Sequence, residues 1–191
     1  VSVLSETAAP PIAVKIVISG GFGVGKTTFI GAISEIEPLI TEAALTERSV
    51  GIDDTSAVSG KTTTTVALDF GRITLDDALL LYLFGTPGQD RFAFLWDDLV
   101  DGALGAIVLV DTRRIEDSFP AIEYFEDNGT PFIVAVNQFD GGLRFHLSEV
   151  RDALGIAADV PIVECDARTR ISVRDTLLAL TGEILIRRAA A

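Results

Sequence analysis

An α/β fold, with a mostly parallel six-stranded sheet, one antiparallel strand and helices on both faces, is predicted by three features of this sequence. Ala106-Ile107-Val108-Leu109-Val110 and Phe132-Ile133-Val134-Ala135-Val136 are apolar without interruption, so strands there bury both faces, as in a parallel sheet covered by helices. Strand-like and helix-like segments alternate along most of the chain, the pattern of repeated βα units. Val66 to Ile73 and Ala78 to Phe84 break that alternation, because only Asp76-Asp77 joins them centrally. So short a link cannot hold a parallel crossover and must turn a hairpin, which makes one strand antiparallel.

Taken in order, Val1 to Pro11 lacks the basic start and long apolar stretch of a secretory leader. Residues 1–12 are read as a flexible tail ending at Pro10-Pro11, and 13–188 as the folded domain. Val14 to Ser19 is the first strand. Gly20-Gly21-Phe22-Gly23-Val24-Gly25-Lys26-Thr27 follows it, and a helix opens at Thr28-Phe29-Ile30. This is G-x-x-x-x-G-K-[ST] between a strand and a helix, the setting of a phosphate-binding loop. Its glycines let backbone N–H groups curl around phosphate oxygens, and the helix N-terminus adds partial positive charge. Lys26 would reach the β- and γ-phosphates, and the Thr27 hydroxyl would ligate Mg²⁺.

Thr41 to Lys61 reads as a long polar segment with few large apolar residues, of a length usually tied to function or mobility. The hairpin follows. After Ala106–Val110 and Phe132–Val136, Pro161 to Glu164 is a shorter last strand. Ser172 to Arg188 then carries Val173, Leu177, Leu180 and Ile184 at helical spacing, with Ser172 as the expected N-cap. Residues 189–191 are read as a tail or an expression scar.

The chain has 191 residues, enough for one domain with a substantial core, and 48% of them are hydrophobic. Its 15 Lys+Arg against 28 Asp+Glu give a net charge of −13, which disfavours nucleic acid and anionic membranes as partners. A nucleotide would have to be held by local positive groups against that field. Cys165 is the single cysteine and cannot form an intramolecular disulfide, which points to a reducing compartment. No stretch has the length of a membrane-spanning helix and no lipidation cysteine ends the chain. A soluble, cytoplasmic protein is expected, with any membrane recruitment supplied by partners.

A phosphate loop alone does not choose among kinases, ATPases and GTPases. Asn137-Gln138-Phe139-Asp140 lies just past a strand's C-terminal end, where α/β sheets bind ligands, and resembles the N-K-x-D element of Ras-like small GTPases. Glu164-Cys165-Asp166-Ala167-Arg168 resembles the family's E-T-S-A-K element, and Phe84-Gly85-Thr86-Pro87-Gly88-Gln89 its D-T-A-G-Q-E element. The resemblance implies a G domain that binds GTP or GDP with Mg²⁺. It places Gly21, Gly23, Val24, Gly25, Lys26, Thr27 and Thr28 around the phosphates, with Asn137, Gln138 and Asp140 at the base. Asp140 would accept from guanine N1–H and the 2-amino group, the Ala167 N–H would meet O6, and Cys165 and Asp166 would support that loop. Gly88 would donate to the γ-phosphate, and Gln89 would orient the attacking water, making Gln89 and Lys26 the catalytic pair.

Three departures qualify this. Gln138 replaces a lysine whose stem covers the base and braces the phosphate loop. Gly85 replaces the acid that holds a Mg²⁺-bound water. Phe22 stands where many relatives have glycine, which implies slow hydrolysis. With the hairpin turning at Asp76-Asp77, Asp69 falls opposite Phe84, beside Gly85, and can supply the missing carboxylate or stand as a surface residue; Asp111 is the weaker candidate. Thr62 to Thr65 precedes the hairpin where the family has its switch threonine, with Thr65 aligning best as a metal ligand and Thr64 second. Arg48, Arg72 and Arg91 are candidate arginine fingers by proximity only.

The Pro87-Gly88-Gln89 form is similar to the MglA-like bacterial branch, and the chain from Val14 to Arg188 most resembles the GTPase of conservon operons, the CvnD type. That implies a slow switch regulated by a roadblock-domain protein, a homodimer, and by other signalling proteins of such operons. The rival reading is a pseudo-GTPase that holds GTP or GDP without turnover. Trp96 or Phe94, where exposed, would mark a partner surface; His146 is read as a loop residue without a role.

Overall fold

The computed structural model describes residues 10–37, 39–44, 65–88 and 94–190, with side chains described outside 39–44 and 65–67. The elements run β1 (Ile12–Ser19), α1 (Lys26–Ile33), β2 (Leu39–Ala44), β3 (Thr65–Asp76), β4 (Leu79–Gly85) and α2 (Trp96–Val100). They continue with β5 (Gly105–Val110), α3 (Phe119–Asn128), β6 (Phe132–Asn137), α4 (Leu147–Leu154), β7 (Ile162–Cys165) and α5 (Arg170–Ala190). A 3₁₀ turn over Ile115–Ser118 leads into α3.

The strands form one sheet in the order β2-β3-β4-β1-β5-β6-β7. All six strands read from the sequence are present, and β2 adds a seventh at the edge beside β3. Because β3 is antiparallel to both β2 and β4, it is the single reversed strand among the described residues. The expected polar segment from Thr41 is therefore strand up to Ala44; its remainder lies outside the described residues.

The sheet's alternation divides the interior in two. Ile16, Ile18, Ile107, Leu109 and Ile133 pack under α1 and α5 with Phe29, Ile30, Val173, Leu177 and Leu180. Val17, Ala106, Val108, Val110 and Val134 point to the other face, against Trp96, Ile122, Phe125, Val150 and Leu154 of α2, α3 and α4. Each large side chain buried this way stabilises the fold by roughly 1.5–3 kcal/mol. Strand β5 is buried along its whole length, which is why its sequence never alternates.

Several expectations are corrected at element ends. Helix α5 starts two residues before Ser172; the Ser172 hydroxyl accepts from the Asp166 N–H at 2.8 Å and caps no helix. Strand β1 begins at Ile12 and α5 continues through Ala190. His146 is the N-cap of α4, in a capping box with Glu149. No helix among the described residues is long and apolar enough to cross a membrane.

Chain order reverses around β1: the path runs outward to β2, returns through β3 and β4, then crosses to β5 on the other side. The crevice at the C-terminal ends of strands at such a reversal is where open α/β sheets bind ligands. The Gly20–Gly25 loop leaves β1 there, between the end of β4 and the end of β5.

Candidate nucleotide site

The loop after β1 reaches α1 through Gly25, whose φ of 108° is left-handed and favours glycine. A Cβ at Gly25 would also stand 2.7 Å from Asn137 Nδ2. No side chain caps α1, so its first-turn N–H groups are available to a phosphate. Lys26 is buried and donates to the carbonyls of Gly20 at 2.7 Å and Gly21 at 2.8 Å. Burial pulls its ammonium down to about 8, with the Asp69 carboxylate acting in the opposite direction.

Asp69 comes to this site from β3. The register pairs Phe70 with Phe84 and shifts between Thr74 and Asp76, so Asp69 stands beside Gly85 and not opposite Phe84. A Cβ on Gly85 would lie 2.9 Å from Asp69 Cβ. The Thr27 hydroxyl donates to Asp69 Oδ2 at 2.6 Å. These two oxygens are hard donors of the kind Mg²⁺ takes. Among the described residues no group of three or more His, Cys, Asp or Glu is placed to hold a metal. An ion here would complete its shell with phosphate oxygens and water, as Mg²⁺ commonly does.

Asp111 is corrected as a metal candidate: Arg113 engages both its oxygens, Nε to Oδ1 at 2.9 Å and Nη2 to Oδ2 at 2.7 Å. That pairing holds the Asp111 carboxyl below its usual range. Thr65 begins β3, paired with Ala44. It stands four positions before Asp69 on the same strand, about 13 Å at ~3.3 Å per residue. Gln89, Thr62, Thr63, Thr64, Arg48 and Arg91 lie outside the described residues. Arg72 is corrected as a finger: its N–H donates to Ser34 Oγ at 3.2 Å, at the end of α1 remote from Lys26.

Gly88 does reach the phosphate loop, since a Cβ there would lie 2.7 Å from Lys26 Nζ and 2.9 Å from Phe22 Cα. Phe22 is 62% exposed at the cleft's rim, whereas Trp96 is buried and Phe94 is 51% exposed. Of the two expected partner-facing aromatics, only Phe94 has the required exposure.

The base end is tied to the loop by Asn137. Its Nδ2 donates to the Val24 carbonyl at 2.8 Å, and its Oδ1 accepts from the Ala167 N–H at 3.0 Å. In the ligand-free fold the Ala167 N–H is thus taken by Asn137, and a guanine O6 would have to displace that bond to meet it. Gln138 Nε2 donates to Glu164 at 3.0 Å, and its N–H to the Cys165 carbonyl at 2.7 Å. Cys165 is buried, which pushes its thiol up. Asp140 is highly exposed and accepts from Arg168 Nη1 at 2.7 Å. Arg168 also grips Asp166 through Nε at 2.8 Å and Nη2 at 2.9 Å, which holds the Asp166 carboxyl down.

Two clefts make up the site. One of about 450 Å³ is lined by Lys26, Thr27, Asp69, Thr86 and Gly88. The other, of about 200 Å³, is lined by Asn137, Asp140, Ala167 and Arg168. Gly23, Gly25 and Thr28 line both, so they form one trench with a phosphate end and a polar far end. Sequence reasoning gave no role to Thr86, Arg114 or Arg168. Thr86 is buried, 3.0 Å from Ser19 Oγ, and Arg114 touches the loop from the β5 side. The signal available for Arg114 was its position just past a central strand's C-terminal end.

A strand, glycine loop, buried lysine and uncapped helix at a topological reversal define a P-loop nucleotide-binding protein with the fold of a G domain. Residues 18–186 match the family described as conserved hypothetical ATP binding protein, and the chain belongs to that family. It is 30% identical over 131 residues to uncharacterized protein MJ1339 of Methanocaldococcus jannaschii, covering 68% of this chain and 72% of that protein. Among solved structures it is similar to the FeoB G domain of Methanococcus jannaschii, with a TM-score of 0.59, 15% identity and coverage of 90% of this chain and 97% of that one. It is also similar to the cytosolic domain of the T. maritima FeoB iron transporter in a GDP form, with a TM-score of 0.64, 18% identity and coverage of 92% and 65%. At those identities the structural likenesses establish the fold.

Proposed function

We propose that the protein is a guanine-nucleotide-binding switch that hydrolyses GTP slowly and is regulated by a protein partner. The observation that carries this reading is the chemistry at the trench's two ends. Lys26, Thr27 and Asp69 gather at one end, and the acceptor-only carboxylate of Asp140 stands at the other. A carboxylate there matches the paired donors of guanine, whereas adenine offers only its 6-amino group on that edge, leaving acceptor capacity unused. The family's description as ATP-binding makes base choice the first point to test.

The phosphate end holds the triphosphate through the loop amides and Lys26, whose contacts to the Gly20 and Gly21 carbonyls would pass to phosphate oxygens. Thr27 and Asp69 would hold Mg²⁺, which when bound neutralises charge on the phosphates. Gly88 would contact the γ-phosphate, and Gln89 would orient the attacking water. Phe22 crowds the place where an inserted arginine would stand, so turnover is slow without a partner; such an arginine is worth roughly 10³–10⁵-fold. Loss of the γ-phosphate would release Gly88 and its neighbours, and the exposed Phe94 would report that change to a partner. The MglA-like, conservon-type resemblance supports a roadblock-domain homodimer as that partner and a cytoplasmic setting.

The test is GTP–ATP competition for binding, followed by single-turnover GTP hydrolysis with Mg²⁺ by the native sequence and Gln89→Ala. Preference for GTP with slow turnover that falls in the variant is expected. Preference for ATP sinks the reading of Asp140. Tight GTP binding with no turnover in either protein replaces the switch with a non-hydrolysing binding module.

A further inference from the structure

The structure assigns to Arg114 the bracing of the phosphate loop, and we propose it as the positioning residue that aims the Gly23 amide at the bound phosphates. The inference rests on the nucleotide reading of this site. Arg114 lies just past β5 in a turn closed by its N–H to the Asp111 carbonyl at 3.0 Å. Its Nη2 donates to the Phe22 carbonyl at 2.7 Å, and Nη1 pairs with Asp117 at 3.4 Å. The 3₁₀ turn carrying Asp117 presses against the same loop: a Cβ on Gly21 would stand 2.5 Å from Asp117 Cβ.

The consequence follows from peptide geometry. Among the described residues there is no cis peptide bond, and in a planar trans unit the carbonyl and the following N–H point in opposite directions. With the Phe22 carbonyl held outward by Arg114, the Gly23 N–H is turned toward the opposite side of the loop. Gly23 lines both halves of the nucleotide trench. Its φ of 72° is a glycine conformation, and the glycine-rich loop around it has other peptide orientations open to it. The guanidinium selects one of them before the ligand arrives.

The resemblance to small GTPases implied a loop-bracing lysine at position 138. Gln138 instead gives its amide to Glu164, and the support comes from the end of β5, the strand between β1 and β6. Arg114 is committed to the Phe22 carbonyl and Asp117, so it acts through the loop and not on the transferred phosphoryl group.

The experiment uses the full chain as the native sequence, Arg114→Ala and Arg114→Lys. Dissociation of fluorescent GDP and ADP analogues is followed by stopped flow, with single-turnover GTP hydrolysis and the melting temperature of the nucleotide-free proteins. Alanine is expected to speed dissociation of the bound analogue by about tenfold or more, the scale of one charge-assisted hydrogen bond. Lysine, which can still donate to the Phe22 carbonyl, is expected to restore most of that loss, and the melting temperatures of all three should agree. Unchanged dissociation in the alanine variant overturns the brace. So does lysine behaving like alanine, or a loss of hydrolysis with dissociation unchanged, which would make Arg114 a transition-state group. Should the native sequence hold ADP and not GDP, the guanine reading fails, yet comparison of the variants on ADP still decides the brace. Should it hold neither, the nucleotide reading and the brace fall together.

Discussion

Asp69 fills the space that Gly85 leaves. A Cβ on Gly85 would stand 2.9 Å from Asp69 Cβ and 3.2 Å from its Oδ2, so a side chain on β4 and the carboxylate on β3 compete for one volume. The Thr27 hydroxyl already donates to that Oδ2. An acid at this corner of the phosphate cleft can therefore be carried by either strand, and here β3 carries it.

Asp69→Asn should lower nucleotide affinity in the presence of Mg²⁺ by about 10–100-fold, the range seen when groups around a metal are lost, and change little in EDTA. Gly85→Asp alone should destabilise the fold by about 1–3 kcal/mol through overpacking. Combining Gly85→Asp with Asp69→Gly should recover much of both losses, because the two sites touch and their effects are not additive. Thermal melting and nucleotide titrations with and without Mg²⁺ measure each arm. Equal losses with Mg²⁺ and in EDTA would remove Asp69 from the metal's surroundings.

Lys26 makes nucleotide binding sensitive to alkaline pH. Its ammonium titrates at about 8 in the ligand-free fold against 10.5 for the free side chain, and phosphate charge beside it would raise that value again. Binding then takes up a proton above pH 8, so affinity should fall as pH rises from 8 toward 10. The same burial acts on stability with a definite sign. Between about 8 and 10.5 the unfolded chain binds more protons at this residue than the folded one, so its cost to folding fades as pH rises through that window. Calorimetric titrations in buffers of different ionisation enthalpy should detect the proton, and Lys26→Met should abolish its uptake.

Asn137 joins three segments through two buried hydrogen bonds, to the Val24 carbonyl and from the Ala167 N–H. Asn137→Ala orphans both partners and should cost about 2–6 kcal/mol, at ~1–3 kcal/mol for each unsatisfied buried group. Denaturant melts should show it as a lower midpoint with the slope preserved. Asn137→Asp keeps the acceptor for Ala167 but sets a carboxylate against the Val24 carbonyl, and should recover less than half of the loss.

Asp140 should set base choice through its two acceptor oxygens. Asp140→Ala is expected to reduce the GDP-over-ADP preference by about 10–100-fold, the worth of hydrogen bonds to a charged group, with little change in melting temperature because the side chain is exposed. Competition titrations of the two diphosphates read this directly, and an unchanged ratio would leave discrimination to another group.

Most of the architecture was legible locally. The uninterrupted apolar runs of β5 and β6 declare two-sided burial, the short link at Asp76-Asp77 forces a hairpin, and Gly20 to Thr27 with its flanking strand and helix has one chemical use. Local sequence also singles out Lys26, Thr27, Asn137 and Asp140, because the roles proposed for them follow from their distance along the chain from a glycine or a strand end. The remainder depends on register and on neighbours remote in sequence. One residue of shift in the β3–β4 pairing moves Asp69 from opposite Phe84 to opposite Gly85, and a period-two strand turns such a step into a change of face. Edge strand β2 draws on β3 for its hydrogen bonds, and its short mixed sequence from Leu39 to Ala44 announces none of that pairing. The Ala167 N–H looks free in sequence but is consumed by Asn137 from another strand. Arg114 reads as an ordinary exposed charge until the sheet order sets the end of β5 against the loop after β1. Sequence by itself determined the nucleotide-binding chemistry, which resides in contiguous motifs; tertiary structure decided which side chains complete it, because those groups meet only across strands.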